Sequence, residues 1–222
     1  WPSHDAEEPL TRVLVAAVFV LGLALRVAQG HTTYFNPDEI LIVLSGDMSD
    51  AEMVDAAGDH PPLGRLILHA SSQIASNELA VRAVPIAAGS LFPILVYAWV
   101  RRLANVASGV AAFVILTLSP NLIALSAQAR GYTLLLLLGS GTLLLLDVAI
   151  RRQSVQMLLA SVGCLYLAIL TELSSAWVAA GAGVYALLQV RRLPVHWAWV
   201  WAAAQVGGLM LFGYHLLTMP EV

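Results

Sequence analysis

Two carboxylates, Asp38 and Glu39, follow directly on Asn36 and Pro37. Residues of this kind at a helix start admit two readings. In one, Asn36 is the N-cap, Pro37 takes the first helical position and Glu39 closes a capping box, with both charges favoured by the helix dipole. In the other, a carboxylate held at a helix start acts as general base toward an acceptor hydroxyl. The two are compatible, because a capped helix fixes the geometry of the next side chain. Arg130 lies in Gln128, Ala129, Arg130, Gly131, Tyr132, just ahead of a long apolar run. A cation at a helix N-terminus opposes the macrodipole, so it needs a compensating reason. Snorkelling or pairing with Glu172 is one; a planar fork binding phosphate oxygens is the other. Glu172 interrupts two apolar runs, where a carboxylate is costly unless it is paired or functional. The candidate catalytic residues are therefore Asp38 and Glu39, and Arg130 and Glu172 are candidates for contact with a substrate.

Other polar groups carry less chemistry. His60, His69, Asp38 and Glu39 lack the tight helical pairing of a strong metal site, and no metal or cofactor is expected. The acidic residues from Asp47 to Asp59 lack the spacing and central glycine of a calcium loop and read as solvated surface. Cys164 is the only cysteine, which excludes a disulfide framework and a thiolate metal site. Arg26 and Arg82 read as side chains snorkelling from span ends. Asp147, four residues before Arg151, reads as an ordinary helix pair. His215 reads as a hydrogen-bonded filler.

The elements that must position these groups follow from composition. The chain has 222 residues, 59% of them hydrophobic and only 11% charged, whereas about a quarter of a soluble domain is charged. A membrane protein is implied, and soluble enzyme folds are excluded. The net charge of −3 points to no nucleic-acid partner. Apolar runs predict seven spans, at about 11–29, 79–100, 104–124, 132–150, 155–170, 174–190 and 195–217. As one helix, the stretch from Val155 to Val190 would run to roughly 54 Å, well beyond a hydrocarbon core of about 30 Å, so it folds back near Glu172. The predicted fold class is all-α, a polytopic membrane bundle forming a single unit over 1–222. An external loop, 30–78, carries a juxtamembrane helix at about 62–75. That helix puts Leu63, Leu66, Ile67, Ala70 and Ile74 on one face and Arg65, His69, Ser72 and Gln73 on the other, the pattern of a helix lying in the interface plane.

Sidedness comes from arginine. All eleven basic residues are Arg, and pairs at Arg101–Arg102, Arg151–Arg152 and Arg191–Arg192 follow every second span. Arg-rich short loops stay cytoplasmic. The N-terminus is therefore expected inside and the loop bearing Asp38, Glu39 and His60 outside. The lack of an initiating Met and an end just after the seventh span read as a processed or truncated product.

The Asp38–Glu39 pair, His60-Pro61-Pro62-Leu63, Asn77-Glu78-Leu79-Ala80-Val81-Arg82 and Ala129-Arg130-Gly131-Tyr132, in this order, resemble the dolichyl-phosphate-mannose protein mannosyltransferase and aminoarabinose transferase group, the type C glycosyltransferases. The resemblance covers about Arg12 to Leu217 and corresponds to the N-terminal half of a typical member. It implies transfer of a sugar, with inversion, from a polyprenyl-phosphate donor to a hydroxyl at the extracytoplasmic face, with Asp38 as the base. The substrate-binding residues it implies are His60, Arg130, Tyr132 and Glu172, with Arg130 stabilising the departing phosphate, His60 shaping the acceptor or donor pocket and Glu172 supporting it. Many members carry aromatic residues where this chain has Gly64 and Arg65, and a His or other polar residue at Glu172.

Two other classes compete with an enzyme whose partners are a lipid-linked sugar donor and membrane lipids. One is a non-catalytic membrane subunit of a larger complex, with other membrane subunits as partners, which keeps the scaffold without the chemistry. The other is a small carrier, which would favour mid-membrane polar residues and broken spans in paired halves; here the ionisable residues gather at the outer edge.

Overall fold

The computed structural model describes residues 9–35, 39–40, 49, 61–74, 77–189 and 195–217. Among these residues there are ten helices and no strand. They are α1 (Pro9–Thr32), α2 (Pro62–Ile74), α3 (Glu78–Val81), α4 (Ala83–Leu103), α5 (Val106–Leu118), α6 (Pro120–Ser126), α7 (Tyr132–Arg152), α8 (Val155–Thr171), α9 (Ser175–Leu188) and α10 (Val195–Leu217). Three of them, α1, α4 and α7, are long and apolar enough to cross a membrane, and α5 with α6 would make a fourth as one bent span. The chain is an integral membrane protein with a helical fold.

Local chemistry accounts for the boundaries. Asn77, Asn105 and Ser154 cap α3, α5 and α8, each accepting from a backbone N–H three residues on. Gln153 ends α7 in the left-handed region at φ 51°, a common helix stop. The expected fold-back at Glu172 is present, where that residue ends α8 in extended backbone.

The span expected at 104–124 is broken. Ser119 is extended (φ −61°, ψ 120°), and the axes of α5 and α6 meet at 57°. The cause is Pro120, which drives the residue before it out of the helical region and cannot donate back to the preceding turn.

The centre of the bundle is α7, the most enclosed of the three long helices, which packs most extensively against α8 and α4. Leu146, Ala149, Ile150, Leu158, Leu165, Ile169, Ala182 and Trp201 form the main apolar core between α7, α8, α9 and α10. Helix α1 is turned inside out by comparison. Leu10, Val13, Val20, Leu21 and Leu25 are exposed, while its buried residues are Gly22, Arg26 and Gly30, a single stripe spaced by four. The small residues let neighbours approach, and the exposed apolar ones suit lipid.

Candidate functional site

At the C-terminal end of α1 the last carbonyls have no helical partners. Arg82, between α3 and α4, supplies them. Its Nη1 donates to the carbonyls of Gly30 and Thr33, both at 2.6 Å, and its Nη2 to that of Tyr34 at 3.2 Å. The remaining donors grip Glu39, Nε to Oε1 at 3.3 Å and Nη2 to Oε2 at 3.0 Å. All five guanidinium N–H groups are thereby engaged, and the Phe35 ring lies 4.9 Å from Arg82 Cζ. The two side chains are 0% and 1% exposed. The expected snorkelling of Arg82 is therefore wrong. An arginine at a helix C-terminus finds there a favourable dipole and a set of free carbonyls, which together outweigh escape to the headgroups.

Glu39 has a further donor, the backbone N–H of Ala129. This joins Glu39 to the segment that carries Arg130 and Tyr132. Ala129 is fully buried and packs with Leu68, Val81 and Phe35. One residue on, Arg130 Nη1 donates to the Tyr132 hydroxyl at 3.0 Å, with its Cζ 5.7 Å from that ring. The next neighbour is the α8–α9 turn. A Cβ on Gly131 would lie 2.8 Å from Thr171 Cγ2, 3.0 Å from the Thr171 carbonyl oxygen and 3.6 Å from Glu172 Oε2. Glu39, Ala129, Arg130, Tyr132 and Glu172 thus belong to one region. Asp38 and His60 lie outside the described residues, bonded to Glu39 and to the fully buried Pro61.

Helix α2 covers this region, but not with the face its apolar pattern favours. Leu63, Leu66 and Ile67 are only half-buried and Ala70 is exposed, whereas Gly64, Leu68, His69 and Ser71 are buried. The reason is close approach. A Cβ at residue 64 would stand 2.8 Å from the Thr171 carbonyl oxygen, so only the face that carries Gly64 can dock there. An aromatic residue at position 64 has no room.

Neither Arg82 nor the Ala129 N–H is among the site residues expected from the sequence. A signal for Arg82 was available, because it stands ahead of α4 as Arg130 stands ahead of α7, a cation on the wrong end of a helix. Arg26, also expected to snorkel, departs in the same way. It is fully buried, with Nε on Ser126 Oγ at 3.2 Å and Nη1 on the carbonyls of Gly22 (3.0 Å) and Thr117 (2.9 Å).

The opposite ends of the helices carry the pair expected there. Arg151 Nε meets Asp147 Oδ1 at 2.7 Å, and the Tyr185 hydroxyl donates to the same oxygen at 2.6 Å. Among the described residues no group of three His, Cys, Asp or Glu side chains could hold a metal ion.

A family model described as dolichyl-phosphate-mannose-protein mannosyltransferase matches residues 59–217. The match takes in His60, Arg130, Tyr132 and Glu172 and begins after Asp38 and Glu39. No curated protein and no solved structure matches the chain.

Proposed function

We propose a specific reaction from the premise that the chain belongs to the dolichyl-phosphate-mannose-protein mannosyltransferase family: transfer of a sugar, with inversion, from a polyprenyl-phosphate donor to an acceptor hydroxyl at the extracytoplasmic face. Asp38 takes the hydroxyl proton. The oxygen attacks the anomeric carbon as the bond to the phosphate oxygen breaks, and the polyprenyl phosphate leaves with the electron pair. Because phosphate is already a competent leaving group, the protein's work is to orient the hydroxyl, accept its proton and steady the departing charge. Arg130 does the last, with Tyr132 fixing its fork. His60 shapes the pocket and Glu172 supports it.

The observation that carries this reading is the bond to Glu39 from the N–H of Ala129, the residue that precedes Arg130 in the chain. It also divides the labour between the two carboxylates. Glu39 is buried and committed to Arg82, so it serves as the anchor and leaves the base to its neighbour Asp38.

The proposed topology has seven spans in a single helical unit, with the N-terminus cytoplasmic. Helices α1, α4, α5 with α6, α7, α8, α9 and α10 coincide with the seven apolar runs. Arg101–Arg102 and Arg151–Arg152 end α4 and α7, at the other ends of those helices from Arg82 and Gly131. Arg191 and Arg192 lie outside the described residues. The proposed partners are the lipid-linked donor, membrane lipids and other membrane subunits.

The test is Asp38→Asn in native membranes, which keeps the shape and removes the basicity. Transfer from a labelled polyprenyl-phosphate sugar is expected to vanish while insertion and abundance stay normal. Normal turnover in the variant defeats the base assignment, and no turnover in the parent protein favours a scaffold subunit.

A further inference from the structure

Arg26 is a cation on a membrane-crossing helix, fully buried, and none of its hydrogen-bond partners among the described residues is a carboxylate. A charge in that position is expensive and usually marks function. Its partners beyond α1 lie on the broken span. Pro120 interrupts the α5–α6 hydrogen-bond ladder, and Arg26 Nη1 takes the Thr117 carbonyl at that break. Its Nε holds Ser126 Oγ, which itself donates to the Leu122 carbonyl at 2.6 Å. The fit is close on both sides. A Cβ on Gly22 would fall 2.2 Å from Thr117 Cγ2, and one on Gly89 would fall 2.1 Å from Ser126 Oγ.

These bonds close a loop through the candidate site. From Arg26 the path runs to Ser126, along three residues to the Ala129 N–H, across to Glu39, on to Arg82 and back to α1 at the Gly30 carbonyl, one helical turn beyond Arg26. The last turn of α6 and the residues after it therefore have two moorings. One is Glu39 above, and the other is Arg26 below.

We infer that Arg26 is a positioning residue, which holds the Ser126–Arg130 segment at the height where Ala129 meets Glu39 and Arg130 faces the donor phosphate. The inference rests on the proposed reaction for its catalytic consequence and on the bonded path alone for its structural one. Arginine suits the position because one planar group reaches the hydroxyl and two carbonyls at once, which a lysine ammonium on a flexible stem does not reproduce.

The experiment compares Arg26→Gln, Arg26→Lys and Ser126→Ala in the full chain. Amide hydrogen exchange in detergent reads the structural consequence, and sugar-transfer kinetics the catalytic one. Arg26→Gln is expected to speed exchange across 119–131 and also across 33–40, which Arg26 does not touch, while 143–152 keeps its parent rate. Displacement of the reacting groups by about 1 Å then lowers kcat on the order of a hundredfold. Arg26→Lys is expected to recover only part of that loss. Ser126→Ala removes one hydroxyl, keeps the Thr117 bond and is the variant to use if Arg26→Gln does not fold; it should reproduce the faster exchange at 127–131 and 33–40. Faster exchange confined to 115–126, with 33–40 at the parent rate, overturns the inference and leaves Arg26 a helix cap. Exchange that spreads in a protein with no Asp38-dependent transfer upholds the positioning and defeats the reaction instead.

Discussion

Arg82 and Glu39 bind each other through two contacts, 3.0 and 3.3 Å, with both side chains sealed from solvent and the guanidinium's other donors spent on the end of α1. The pair neutralises itself, so neither charge is available to a substrate. Its consequence is geometric, because it ties three separate stretches of chain, around residues 30–35, 39 and 82, to one point.

Removing one partner of such a pair leaves the other buried and uncompensated. Arg82→Ala is expected to destabilise the folded state by about 3–5 kcal/mol. Arg82→Lys should recover little of it, since an ammonium cannot span three carbonyls and a carboxylate. Thermal unfolding in detergent checks both, and a variant within about 0.5 kcal/mol of the parent, the usual range for surface changes, would refute the assignment.

Gly64 and Gly131 flank the Thr171 carbonyl from two directions, at 2.8 and 3.0 Å from where their Cβ atoms would be. Gly64→Ala pushes α2 away from backbone, which cannot yield as a side chain can. A cost of about 1–3 kcal/mol is expected, together with easier proteolysis of α2. Unchanged stability and cleavage would show that α2 does not dock through this face.

Arg130 is the proposed contact for the leaving phosphate. Loss of one charge-assisted hydrogen bond is worth about 1.5–3 kcal/mol, so Arg130→Ala should weaken the kcat/KM for the donor by at least about tenfold. Arg130→Lys should retain part of it as a point charge. Steady-state kinetics with varied donor at saturating acceptor separates the effects. A change confined to the acceptor KM would move Arg130 away from the phosphate.

The helices are legible because an apolar run bounded by arginine has few alternatives; α7, expected at 132–150 and found at Tyr132–Arg152, shows this well. The break in the α5–α6 span is legible too once Pro120 is given its steric weight. What periodicity cannot reveal is which polar groups meet. Arg26 and Arg82 look alike as cations near span ends, and both rules for such residues favour escape to the headgroups. Their burial depends on carbonyls freed elsewhere, at the end of α1 and at the α5–α6 break, which are features of the assembled bundle. The docking face of α2 is hidden for a similar reason, since an apolar stripe reports what suits lipid or core, whereas Gly64 reports how near another backbone comes. The Asp38–Glu39 pair was visible as a candidate. The division of roles proposed for it depends on seeing where the Glu39 carboxylate goes.

The proposed topology turns the Glu39–Arg82 end of the bundle away from the cytosol. It is tested most directly by placing single cysteines at Tyr34, which is 91% exposed at that end, and at exposed Ala104, at the far end of α4, in a Cys164→Ser background. Intact cells are then treated with a membrane-impermeant thiol reagent. Tyr34→Cys is expected to label from outside, and Ala104→Cys only after the membrane is opened. The reverse pattern would contradict the topology.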